Sequence, residues 1–129
     1  MAAKGFAALA AISLLATAAE VEAHHSVAGQ FDQAKHATIS GTISKIDWIN
    51  PHVYVLLDVA DDKGNVTTWR LESLPTAMLR KAGLTSALLR GDGSKVTVEV
   101  LLARDGTENL AWLNRITYAD GHFYQLFGE

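Results

Sequence analysis

No cysteine occurs among the 129 residues, so a disulfide framework, a thiolate metal or iron–sulfur site and a thiol nucleophile are all excluded. Basic residues are not in excess either. Eleven Lys and Arg stand against fourteen Asp and Glu, for a formal net charge of −3, and the chain lacks the clustered cations that phosphate-backbone binding needs. Nucleic acid is therefore not an expected partner. Only two prolines and no low-complexity tract interrupt a chain that is 49% hydrophobic and 19% charged, which is the balance of one globular domain.

The one sustained apolar run lies at the start, from Gly5 to Ala16 behind Lys4, and it is shorter than the roughly 20 residues that cross a bilayer. With small residues Val21 and Ala23 placed at −3 and −1 of a cut, residues 1–23 read as a secretory signal peptide; Thr17 and Ala19 offer an earlier cut. The expected product begins at His24, is periplasmic and has no membrane span.

Beyond an irregular segment at 24–35, the pattern predicts a small β-barrel over 36–129. From His36 to Ile49 the apolar positions change parity between Ile43 and Ile46, which calls for a bulge near Ser44-Lys45, and Gly41 marks sharp coiling. Val53, Val55, Leu57 and Val59 alternate in a second strand, and Val66–Glu72 makes a third. Pro75 opens a helix with Met78, Leu79 and Ala82 on its buried face and Gly83 at its end; a second turn covers Ser86–Leu89. Strands at 95–102 and 110–118 and a short extra strand at 122–126 follow. The order β-β-β-α-β-β is that of an OB-fold barrel.

Catalytic signatures are missing: there is no G-x-S-x-G, H-E-x-x-H, P-loop or G-x-G-x-x-G pattern, and no enzymatic role is expected. Asp61, Asp62, Asp92, Asp105 and Asp120 fall in turns, where Asp is favoured for local hydrogen bonding. Asp47 and Glu72, on or near strand ends, could in principle act as an acid and base pair. Arg80, Lys81 and Arg90 suit helix C-termini.

Five histidines are the unusual feature. A chain beginning at His24 would offer an α-amine and an imidazole to one ion, a chelate that suits Cu(II), with a third nitrogen from His25, His36, His52 or His122, of which His25 and His52 are favoured. The competing reading of His24-His25 is a mobile terminus left by a good cut site. His36 and His122 read as surface residues. Asn50-Pro51-His52 lies between the first two strands, at a loop that OB barrels use for ligands, and Pro51 restricts Asn50 to extended backbone. Trp48, Trp69 and Trp112 with Tyr54 and Tyr118 read as core, or else as a stacking platform of the kind that oligonucleotide and sugar readers use. Trp48, Asn50 and Tyr54 are the candidate ligand-binding residues. Without a metal, the alternative is an interaction domain presenting its barrel face to a periplasmic protein or small ligand.

Ala23-His24-His25-Ser26, Phe31-Asp32 and the passage from Gly41 to Trp48 running into Asn50-Pro51-His52 resemble an uncharacterised family of small exported bacterial proteins, a domain of unknown function. The likeness continues through Trp69, Glu72, Gly91-Asp92 and Val96-Thr97-Val98. It implies export and a barrel-like β domain, and brings with it no activity, cofactor or catalytic residue.

Overall fold

The structure, a computed structural model, describes residues 27–127. The chain divides into two units after Gln30. Of the first, residues 27–30 are helical. The second is mainly β: β1 (Phe31–Asp47), β2 (Tyr54–Ala60), β3 (Val66–Glu72), α1 (Thr76–Lys81), α2 (Ser86–Arg90), β4 (Val96–Ala103), β5 (Leu110–Thr117) and β6 (Phe123–Gln125).

Antiparallel pairing gives the sheet order β3-β2-β1-β4-β5-β6, and β3 also pairs with β5 in parallel. That last seam, Arg70–Glu72 against Leu110–Trp112, closes a ring of five strands over only three register pairs, with β6 attached outside it. β1 serves two partners, its first half lying on β4 and its second on β2. To do so it must bend. Gly41 lets it, because a Cβ there would lie 2.4 Å from the Asp58 carbonyl oxygen. The register then skips between Ile43 and Lys45, and this bulge is why the apolar parity of the sequence changes there.

β1 begins at Phe31, five residues ahead of the expected start, so residues 31–35 are strand rather than irregular. Their polarity hides the element: Asp32 to Lys35 fall in a register irregularity between Phe31↔Ala103 and His36↔Leu101, where no inward-facing alternation is required. The helical face also differs from expectation. α1 buries Thr76 and Leu79, while Met78 is 45% exposed and Ala82 lies outside, because a six-residue helix presents only one i, i+3 pair to the barrel.

Inside the ring, Val53, Val55, Leu57, Leu71, Val98, Val100, Leu113 and Ile116 form an aliphatic core, joined by Leu79, Leu84 and Leu89 from the helical stretch between β3 and β4. The helices thus plug the mouth at which β3 ends and β4 begins. At the other mouth Trp69 and Leu102 pack on the core while remaining half-buried. No helix among the described residues is long and apolar enough to cross a membrane.

Candidate functional site

Side chains alternate across a strand, so residues flanking the core positions point out through the barrel wall. One register row on that outer face runs Asp47↔Tyr54↔Glu72↔Trp112↔Leu101, crossing the parallel seam between Glu72 and Trp112. Trp112 and Glu72 are nonetheless buried. Around Trp112 a second small cluster forms, with Phe31 and Phe127 at ring-centroid distances of 5.9 and 5.4 Å and the His52 ring edge-on at 5.7 Å.

His52 reaches this row from the loop between β1 and β2. The loop is stitched to the connection leaving β3: Val53 N–H donates to Leu74 O (3.1 Å), Ser73 N–H to Val53 O (2.8 Å), and Thr76 Oγ1–H to Asn50 Oδ1 (2.9 Å). The Asn50–Pro51 bond is cis. So held, His52 Nδ1 lies 2.5 Å from Glu72 Oε1, the two side chains being 15% and 6% exposed.

An ionised carboxylate can only accept, so Nδ1 carries the proton, and in the neutral ring Nε2 keeps a free lone pair. Nε2 makes no hydrogen bond among the described residues. This is the arrangement by which a carboxylate fixes the tautomer and direction of a metal-ligating histidine or of a basic one. Tyr54 borders the same carboxylate. Burial raises its hydroxyl above the usual phenol range, the Glu72 charge adds to the rise, and Arg70, whose guanidinium carbon sits 3.9 Å from the Tyr54 ring centroid, works against it. Tyr54 therefore stays a neutral donor near Glu72.

The residues singled out in the sequence separate into several places. His52 and Tyr54 meet at Glu72. Asn50 is occupied with Thr76, and Trp48 packs half-buried on the core with the Arg80 guanidinium 6.0 Å from its ring centroid. No ring contact joins Trp48 to Tyr54 among the described residues. His24 and His25 lie outside the described residues. His36 is exposed on β1, and His122 is bonded through Nδ1 to Asp120 and stacked on Tyr118 at 4.3 Å. Among the described residues no three His, Cys, Asp or Glu side chains stand together as a metal-holding group.

Asp47 pairs with Lys45 at 2.7 Å, and Tyr54 lies between it and Glu72 in the row. The carboxylate–imidazole pairing is what sequence reasoning missed. Its signal was a lone Glu facing outward at the end of a strand whose inward neighbour is Leu71, yet nothing in the linear chain places His52 beside it.

A small mainly-β domain with a carboxylate-oriented histidine in its wall is the class that fold and site define. The chain belongs to the family of unknown function DUF6152, which matches it over residues 10–111. No curated protein and no solved structure matches it.

Proposed function

We propose that the chain is an exported, non-enzymatic binding module that captures Cu(II). The pairing order β1-β2-β3-β5-β4, with the helices between β3 and β4, supports reading its barrel as an OB fold. Export to the periplasm rests on the leader-like start of the sequence.

The observation that carries the copper reading is the His52–Glu72 pair. Nδ1 is committed to a carboxylate, so Nε2 is left as a directed nitrogen donor, and divalent copper heads the affinity order for such ligands. His24, through its α-amine and imidazole, and His25 are the further donors that the sequence supplies. Because an amine of ordinary pKa about 7.7–8 and an imidazole of about 6.5 must both be free of protons, the affinity falls as pH drops from 8 to 6.

The test uses protein exported through its own leader and titrated with Cu(II) against a weak competing chelator, with native mass spectrometry reading start residue and retained copper together. His52→Ala is expected to lower the affinity at least tenfold and Glu72→Gln by a smaller factor. Unchanged affinity in His52→Ala overturns the role of the pair, and unchanged affinity in His24→Ala overturns the terminal chelate. The other reading, a small-ligand or protein interaction through the barrel face, is favoured by Arg70 lying over Tyr54 on the outside of β2 and β3, and it predicts that copper is not retained at all.

A further inference from the structure

The parallel seam stops at Arg70 and Leu110, at the mouth opposite the one where β3 ends and the α1–α2 stretch begins. There a cavity of about 240 Å³ opens between β1, β3, β4 and the β4–β5 loop. Its apolar wall is Trp69, Leu102 and Leu110; its rim carries Lys35, Glu108 and Asn109. Of the three tryptophans, Trp112 is buried and Trp48 packs beside Arg80, while Trp69 lines this cavity.

The rim is set in place before any ligand arrives. The Asp105 carboxylate accepts from Thr107 N–H (2.9 Å) and Thr107 Oγ1–H (2.6 Å), and the Asn109 carbonyl accepts from Arg70 N–H (2.8 Å) with Asn109 at φ 57°. The side chains of Glu108 and Asn109 remain open for hydrogen bonding. Among the described residues the Glu108 carboxylate and the Asn109 amide have no partner, and Lys35 has only Asp32 at 3.9 Å.

We propose that this open mouth is a carbohydrate site that takes one pyranose ring. The volume lies just below that of drug-sized pockets and so suits a single ring. A pyranose has an apolar C–H face, which matches the Trp69 ring, and an edge of hydroxyls that both donate and accept, which matches a carboxylate, an amide and an ammonium on one rim. One cation and one anion there favour neither an anionic nor a cationic ligand, and Lys35 as the single basic residue of the lining among the described residues disfavours a phosphorylated one. The site is separate from the His52 pair and stands or falls independently of copper.

The test is a two-dimensional ¹⁵N NMR titration of the full mature chain with D-glucose, D-galactose and N-acetyl-D-glucosamine, each taken to about 50 mM, against an expected Kd of about 1 mM for so small a ligand. A saturable shift of the Trp69 indole N–H and of amides 106–110 with at least one sugar is expected, weakened about tenfold by Glu108→Gln and by Asn109→Gly. Asn109→Gly removes the amide while keeping a residue at ease with positive φ, so the loop survives the change. No saturable shift there with any of the three sugars overturns the proposal. So does a shift that both variants leave unaltered, or tighter binding there of benzoate or benzylamine than of any sugar.

Discussion

The barrel interior and the patch of wall beside the parallel seam are both shut off from water, yet they are built from opposite chemistry. Inside, every fully buried strand residue is aliphatic or alanine, and the core asks nothing of its neighbours but volume. On the wall, a buried carboxylate and an imidazole lie beside Trp112, with the half-buried Tyr54 phenol bordering the carboxylate. Burying a charge costs free energy that only a partner recovers, so the wall cluster is not an economical way to hold three strands together. The interior accounts for the fold; the wall is where the molecule carries polar groups that the fold does not require.

The comparison predicts its own largest effect. Leu71→Ala removes a fully buried side chain from the closing strand, and urea unfolding should show a loss of about 2–5 kcal/mol with the cavity left behind. Copper affinity measured well below the midpoint should be unaltered, since Leu71 faces inward and His52 is held from the loop. A stability loss under 1 kcal/mol would mean that the aliphatic interior does not dominate.

Glu72→Ala comes next, and it tests the wall. It leaves the Nδ1 proton of His52 without its acceptor in a mostly buried setting, at a cost of about 1–3 kcal/mol. Replacing both residues by Leu should recover much of that loss, because no polar group is then stranded. A double replacement no more stable than Glu72→Ala would instead make the pair a structural necessity, and the contrast with the interior would fail.

Much of this architecture was legible in the chain. The alternation of Val53, Val55 and Leu57, the parity change around Ser44 and the glycine at position 41 each mark a local backbone demand, and local demands are written in local sequence. The early start of β1 escaped because Asp32 to Lys35 pair irregularly and carry no alternation. Met78 was misplaced because a helix of six residues is too short for its periodicity to choose between neighbouring faces. For the site, His52 was singled out by its rigid approach, but Glu72 reaches it from twenty residues away through a strand pairing that spacing does not encode. Trp69 looked like Trp48 and Trp112 in sequence, since what separates them is where the parallel seam stops.

The smallest effect comes from a carboxylate of the opposite kind, fully exposed and held only by local hydrogen bonds. In the β2–β3 turn Asp61 accepts from the Asn65 side chain (3.1 Å) and from the backbone N–H groups of Asn65 (2.9 Å) and Lys63 (2.8 Å), and the Asn65 side chain foremost holds its carboxyl below the ordinary Asp value. A folded pKa below the unfolded one means that the turn's contribution is complete above the unfolded value, about 3.9, and disappears as pH falls through the folded one. The difference in urea midpoint between the protein and Asp61→Ala should therefore be constant from pH 5 to 7 and shrink below pH 4. Asn65→Ala should move the onset of that loss upward, toward the ordinary Asp value, by removing the largest cause of the shift. A midpoint difference that persists unchanged at pH 2 would show that the Asp61 side chain holds the turn through hydrogen bonds that do not depend on its charge. The charge of an exposed carboxylate would then contribute as little to this fold as water screening implies, in contrast to Glu72, which is buried and paired with His52.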